Sequence, residues 1–501
     1  MSNKARLPMV PAHTGRYRLV GGTIWDGTGE HLVEDGELGI QGDRIVYVGP
    51  RREPADVPRE TVTVELGGAY VLPGFIDTHV HLGLAGEESP LAALARFETH
   101  SHLRTARTIR QTLEAGITTA RDLGGLDAGY RHAIAEGLVD GPRLHLAVSA
   151  ISPTGGHADL CLPNGTQIGG AYSAASRIAD SDDEIRRVVR ELVRAEADVL
   201  KICTTGGVAS HSDSPDDIGV PEHQVRIVVK EAARRQGQPV AAHAHGARGI
   251  LEAIRGGAAS VEHGTGIDAE GIDLMLEHGT FLVPTLSTAL NLPEPGHMSP
   301  FVYAKRVEWF KIAQEHLARA IGAGVKVALG TDAALFPHGR NLTELGHLVD
   351  LGLLPWQALQ TGTRNAAELL RLDAELGTIE TGKLADLVVT RSHPFRSIHS
   401  LADPEAIRIV VQGGRVKGHR RSPHRTRGVV RESAEASLHG FPYGEQPDIA
   451  EWVPWRCFGR SVFGEGDRTA DIGFRGDRCR MRRVGTITSS SPARRAAWPR
   501  A

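Results

Sequence analysis

Seven residues of this chain have side chains suited to holding a metal, and they sit in similar settings: His79 and His81 in "GFIDTHVHLG", Lys201 in "VLKICTTGG", His243 and His245 in "VAAHAHG", His263 in "VEHGT" and Asp332 in "LGTDA". In a strand, residues two apart share one face, so His79 and His81 aim two imidazoles the same way, as do His243 and His245. Neutral imidazole is a good ligand for zinc and its neighbours. Each residue alone has a plain structural explanation, such as a polar loop edge, a satisfied core histidine or a capping aspartate. What they have in common is harder to explain that way. Every one lies at or near the C-terminal end of a short apolar run.

The elements that would position them follow from the hydrophobic pattern. Eight apolar runs alternate with helical segments: "VLPGFIDTHVH", "GITTARDLG", "PRLHLAVSAIS", "ADVLKICTTGG", "QPVAAHAHG", "ASVEHGT", "TFLVPTL" and "VKVALGTDA". Between Asp182 and Ala197, Ile185, Val188, Val189, Leu192 and Val193 recur at helical spacing. In "NLTELGHLV", Asn341 and Glu344 have the spacing of a capping box. Eight runs interleaved with helices predict an α/β fold, a (β/α)8 TIM barrel, whose active site lies at the C-terminal ends of its strands. Short alternating strands with Gly and Asp turns flank the barrel on both sides and predict a small β-sandwich domain, or a β-roll, built from both terminal segments. The expected division is 1–73 and 376–418 for the β-sandwich, 74–375 for the barrel, and 419–501 for a tail. That tail holds sixteen Arg, no Lys and nine acids without periodicity, and is expected to be a poorly ordered appendage.

Composition narrows the partners. The formal net charge of -3, from 57 basic and 60 acidic residues, gives no global attraction to nucleic acid or an anionic membrane. No apolar run approaches the roughly 20 residues of a membrane span, and the first twenty residues lack a signal-peptide core. Cys161, Cys203, Cys457 and Cys479 are too scattered for a disulfide framework. These features predict a reduced, cytoplasmic protein. Cys203 reads as packing beside Lys201.

On the paired histidines, the strand-four lysine and the "GTDA" aspartate, the chain resembles the metal-dependent amidohydrolase superfamily. "SPTGGHAD" and "HAHGARG...SVEHGT" are similar to the branch of metallo-dipeptidases (Xaa-Pro dipeptidases) and ochratoxin-type amidases. The resemblance covers roughly Tyr17 to Gly418 and implies two divalent metal ions, zinc first, with manganese and cobalt compatible with the same ligand types. It puts His79, His81 and Asp332 on one metal, and His243 and His263 on the second, with Lys201 bridging both. His245 is the alternative to His243. An ordinary ammonium beside two dications would be repelled, so Lys201 is expected as its carbamate, an anionic bidentate ligand.

The activity the resemblance implies is hydrolysis of an amide in a dipeptide, an N-acyl amino acid or an ochratoxin-like compound by a metal-bridging hydroxide. Asp332 would pass a proton to the leaving nitrogen. His157, in the glycine-rich "TGGHAD" loop, would hydrogen-bond the oxyanion, a solvated loop histidine being its other reading, and His245 would reach the substrate. Arg248 would clamp a substrate carboxylate with its planar fork, a surface helix position being its other reading. A homo-oligomer is expected. Competing readings are a cyclic-amide hydrolase of the hydantoinase or imidazolonepropionase type, a deaminase, which Lys201 disfavours, and a non-catalytic scaffold.

Overall fold

The structure is a computed structural model describing residues 15–84, 95–161, 164–166, 175–210, 213–292 and 299–419. Contacts divide the chain into Met1–Arg425 and Thr426–Ala501. The second unit, with most of the Arg-rich tail, Cys457 and Cys479, lies outside the described residues. Among the described residues no helix is long and apolar enough to cross a membrane.

Five strands come from the N-terminal segment: β1 (Arg16–Ile24), β2 (Val33–Gln41), β3 (Arg44–Pro50), β4 (Val62–Glu65) and β5 (Tyr70–Pro73). Nine belong to the central segment: β6 (Phe75–Val80), β7 (Ile117–Asp122), β8 (Arg143–Leu146), β9 (Ala150–Ser152), β10 (Ser176–Ile178), β11 (Leu200–Cys203), β12 (Val240–Ala244), β13 (Ser260–His263) and β14 (Phe281–Val283). Three follow: β15 (Leu387–Thr390), β16 (Ile407–Gln412) and β17 (Arg415–His419).

The outer strands make one eight-stranded sheet, β17-β16-β15-β5-β1-β2-β3, with β4 also on β1. The strands β5 and β15 pair antiparallel from Tyr70↔Thr390 to Pro73↔Leu387, so segments from either side of the central region meet in it. A small β-sandwich or β-roll was the expectation, and the strands form one connected sheet. On one side β1 has two successive partners, β4 over Tyr17–Val20 and then β5 at Thr23–Ile24. Register shifts along the strand, from Leu19 to Gly22 and from Gly22 to Ile24, accompany the change of partner. Irregularities of this kind bend and twist a strand. The sheet's apolar side chains, among them Leu19, Leu38, Ile40, Val71, Leu387 and Val411, form their own buried cluster.

The central strands are parallel, as expected, and lie in a six-stranded sheet, β10-β9-β11-β12-β13-β14, and a three-stranded sheet, β6-β7-β8. The run "PRLHLAVSAIS" is divided between them, because Val148 takes a left-handed φ of 65° between β8 and β9. The eighth run is not a regular strand, yet its backbone links the two sheets. Leu282 N donates to Lys326 O (2.8 Å) and Ala328 N to Leu282 O (3.0 Å) on one side; Thr78 N donates to Leu329 O (2.8 Å) and Asp332 N to His79 O (2.8 Å) on the other. Gly330 permits this close passage: a Cβ there would fall 2.4 Å from Val283 and 2.8 Å from His79 Cβ.

Helices cover the parallel strands as their periodicity predicts. Asp182–Arg194 starts at a capping box between Ser181 and Glu184 and buries Ile185, Val188, Val189 and Leu192. Each such burial is worth about 1.5–3 kcal/mol. The capping box expected at Asn341 does not form. The helix there is Thr343–Asp350 after Leu342, and Asn341 is instead buried, with Nδ2 donating to Asp77 (2.7 Å). Glu344 accepts from Leu286 N (2.7 Å) and from Ser287 N (2.6 Å) and Oγ (2.7 Å). Both polar groups find buried tertiary partners, which outweigh a local cap.

Candidate active site

Strand register brings most of the proposed residues together. The pairs Lys201↔Ala241 and Cys203↔His243 align β11 with β12, and Ala244↔His263 aligns β12 with β13. The ligating atoms of His243, His245 and His263 lie within 4.8 Å of one another, as do those of His79, His263 and Asp332. His263 belongs to both groups. His81 joins the second: its Nε2 and that of His79 are each 3.5 Å from Asp332 Oδ1.

Two of these residues depend on unusual backbone. His263 has φ 69° and Asp332 φ 55°, both left-handed. By strand alternation Glu262 faces inward and His263 outward, and the positive φ turns the imidazole back toward the cluster. Conformations like these cost about 1–3 kcal/mol each and persist where the surroundings enforce them.

The second ring nitrogens are also engaged. His79 Nδ1 lies 2.8 Å from Glu262 Oε2, His81 Nδ1 2.9 Å from Gly124 O, and His243 Nε2 3.1 Å from Gly206 O. His245 Nδ1 is 2.8 Å from Thr265 Oγ1, and His263 Nδ1 2.8 Å from Thr285 Oγ1. Metal-ligating histidines show this pattern, in which the outer nitrogen's partner fixes the ring and leaves the inner nitrogen to the ion. Burial keeps the rings neutral, lowering His81 to about 4 and His245 to about 3, with His79, His243 and His263 also well below the usual range. Neutral imidazole is the ligating form. Burial acts oppositely on Asp332, raising it to about 7 against the pull of Lys201 and Arg306.

Lys201 is 3% exposed, and its Nζ has no hydrogen-bond partner among the described residues. Desolvation lowers its pKa, favouring a neutral, nucleophilic amine. The orphaned Nζ, the neutral histidines and the carboxylate form a donor set that fits divalent metal. Cys203 is buried, and burial pushes its thiol up to about 11, in keeping with a packing role.

His157 reaches the cluster from the loop after β9. Its ring stacks on His243 with centroids 3.9 Å apart, and its Nδ1 lies 3.1 Å from Asp213 Oδ2. Arg248 is placed differently. Its side chain is 77% exposed, its Nε donates to Glu252 (3.1 Å), and it lines an outer cleft with Glu222, Arg226 and Arg255. Of the residues singled out in the sequence, it alone is not gathered with the histidines.

Glu262 and Arg121 were not singled out in the sequence. Glu262 is fully buried between His79 and Arg121, whose Nη2 donates to Oε1 at 2.8 Å. Arg121 Nε also bonds Thr78 O, so the β6 end carrying His79 and His81 is braced from β7 and β13. The available signal was a charged residue inside each of two otherwise buried runs, "TTARDLG" and "SVEHGT".

Comparison with known proteins agrees with this geometry. Ochratoxinase of Aspergillus niger is 32% identical over 440 residues, covering 83% of this chain and 90% of that protein. A crystal structure of a Xaa-Pro dipeptidase with bound methionine in the active site gives a TM-score of 0.74 at 30% identity, covering 80% of this chain and 99% of that one. Imidazolonepropionase of Rhizorhabdus wittichii is 31% identical over 399 residues, 72% of this chain and 90% of that protein. Residues 70–417 match the Amidohydrolase family, whose fold is of the TIM-barrel type with a β domain. The chain belongs to the amidohydrolase family and is a hydrolase of amide or peptide C–N bonds.

Proposed function

We propose that the protein hydrolyses the amide bond of a small substrate, a dipeptide or an N-acyl amino acid, at a centre of two divalent metal ions. The catalytic unit is residues 74–375 arranged as an eight-stranded barrel, flanked by the β domain of 1–73 and 376–418. His79, His81 and Asp332 would hold one ion, and His243 and His263 the other. Lys201, once its neutral amine has added to carbon dioxide with formation of an N–C bond and release of one proton, would offer an anionic carbamate for both ions to share. The observation that carries this reading is the buried, unpartnered Lys201 Nζ among histidines whose outer nitrogens are already engaged. When bound, the metals supply Lewis acidity toward the carbonyl and a hydroxide nucleophile near neutral pH.

The chain's own groups do the rest. Asp332 accepts the nucleophile's proton and passes it to the leaving nitrogen, a role that typically contributes 10²–10⁴-fold. His157, oriented by Asp213, donates a hydrogen bond to the oxygen that becomes negative. His245 faces the substrate beside His243, which ligates through Nδ1 because Gly206 O engages Nε2. The named activities of the ochratoxinase and dipeptidase relatives support an amide in a small molecule. Similarity to an imidazolonepropionase favours, as a second reading, the same chemistry on a cyclic amide.

Elemental analysis of protein grown with supplemented zinc is expected to find two metals per chain. Assay against dipeptides, N-acyl amino acids and cyclic amides is expected to show turnover lost to chelators. One metal per chain would remove the bridge, and activity on cyclic amides alone would favour the second reading.

A further inference from the structure

Arg248 is turned outward, yet another arginine stands beside the catalytic carboxylate. Arg306 lies in the helix Pro300–Gly322 and is half-buried. Its Nη2 donates to Thr288 O (2.9 Å) and Asn291 O (2.9 Å). Thr288 Oγ1 in turn donates to Thr331 O (2.9 Å) and contacts Asp332 O (3.4 Å). The guanidinium is thus fixed, through one residue, to the backbone that carries Asp332. Its positive charge acts on that carboxylate, and Asp332 acts on it in return.

Only one corner of the guanidinium is committed. Among the described residues neither Nε nor Nη1 donates a hydrogen bond, and no carboxylate pairs with Arg306. The neighbouring cations are differently placed. Lys305 Nζ is spent on Ser210 O (2.9 Å) and Asp213 O (2.7 Å), and Arg248 is paired with Glu252. Both bidentate edges of a guanidinium include Nη2, whose two hydrogens are spent here, so the corner left open is Nη1, which takes one carboxylate oxygen through a charge-assisted hydrogen bond.

We propose that Arg306 is the specificity-determining residue that recognises a substrate carboxylate: the C-terminal carboxylate of a dipeptide, or that of the amino-acid half of an N-acyl amino acid. This rests on the amide-hydrolase reading above and deepens it. Free acids are then preferred over their carboxamides, because a neutral terminus gives up the charge-assisted pair.

The test compares wild type with Arg306→Met and Arg306→Lys on N-acetyl-L-methionine, Met-Pro and their C-terminal carboxamides. Arg306→Met is expected to lower the acid-to-carboxamide ratio of kcat/KM by roughly 10–100-fold, the range of a charge-assisted hydrogen bond. The loss should fall mainly on KM, and Arg306→Lys should restore part of it. A second arm needs no turnover: calorimetry with L-methionine and L-proline, as the free acids and as their amides. Wild type should bind the acids more tightly, and Arg306→Met should weaken them by tenfold or more while sparing the amides. Equal effects on acids and amides in either arm would make Arg306 a structural residue and overturn the proposal. So would absence of acid-selective binding in wild type. If no amide is hydrolysed while acid-selective binding through Arg306 persists, the amide-hydrolase reading fails and the carboxylate site stands.

Discussion

Glu37 in the eight-stranded sheet and Lys201 at the end of β11 are both ionisable and both buried, but they are partnered in opposite ways. Glu37 accepts from Arg52 N (2.9 Å), Nε (2.9 Å) and Nη2 (2.6 Å), and Arg18 Nη1 lies 3.5 Å away. Lys201 Nζ has no hydrogen-bond partner among the described residues. A buried charge with its hydrogen bonds filled holds a structure together, whereas an empty one costs stability and is retained for something else. Buried polarity is architectural in the sheet, and in the proposed function it is chemical at the strand ends.

Replacing the lysine tests this contrast most severely. Lys201→Met should abolish joint metal retention and lower kcat/KM by about 10³-fold or more, given the several kcal/mol that metal-ion catalysis supplies. In chelator the same variant should be more stable than the parent by about 1–3 kcal/mol, since an unsatisfied buried amine is gone. Metal analysis and urea unfolding read the two halves separately, and a Lys201→Met protein that keeps both metals would erase the contrast. Glu37→Ala should do the reverse. It strands Arg18 and Arg52 and should cost about 3–5 kcal/mol in unfolding free energy, with kcat/KM of the folded protein unchanged. A sheet indifferent to this substitution would make Glu37 ornamental.

The smallest effect concerns pH. Burial holds His81 down to about 4 and His245 to about 3, whereas in the unfolded chain they titrate near 6.5. Between those values the unfolded state binds more protons, so their contribution is complete above about 6.5 and is lost as pH falls toward 4. Glu344, raised to about 8 by burial from 4.5, works oppositely, its contribution fading as pH rises through that window. In metal-free protein, His245→Asn should lose less unfolding free energy than the parent between pH 6.5 and 4. Equal slopes would mean that His245 is not held neutral by the fold.

The chemistry was more legible in the sequence than its supports. His79, His81, Lys201, His243, His263 and Asp332 stand at the ends of apolar runs, and strand periodicity alone brings such ends to one side. What bound them was not periodic. Glu262 braces His79 from a strand nearly two hundred residues away, and no local pattern announces a pairing at that separation. Asn341 had the right spacing for a cap, but a buried carboxylate, Asp77, claimed it. Arg248 drew attention because it follows "HAHGA", although Glu252 four residues on already marked an exposed helical pair. Arg306 carries no motif, since its position beside Asp332 arises only when the helix Pro300–Gly322 folds back on Thr288 and Asn291 and on the eighth run.

The pairing of β5 with β15 also has a consequence for the order of assembly. Tyr70–Pro73 leads directly into the strand that bears His79 and ends just before His81, but its antiparallel partner is Leu387–Thr390, over three hundred residues later. At a synthesis rate of about 5–20 residues per second, that edge of β5 waits on the order of tens of seconds for its neighbour. Meanwhile every histidine of the cluster has already been made. Non-local pairing of this kind slows folding and leaves an unpaired strand edge during the delay. The nascent chain thus passes through an interval in which the catalytic half is complete in composition but unsealed at its base, and that interval is where a chaperone or premature self-association has its opening.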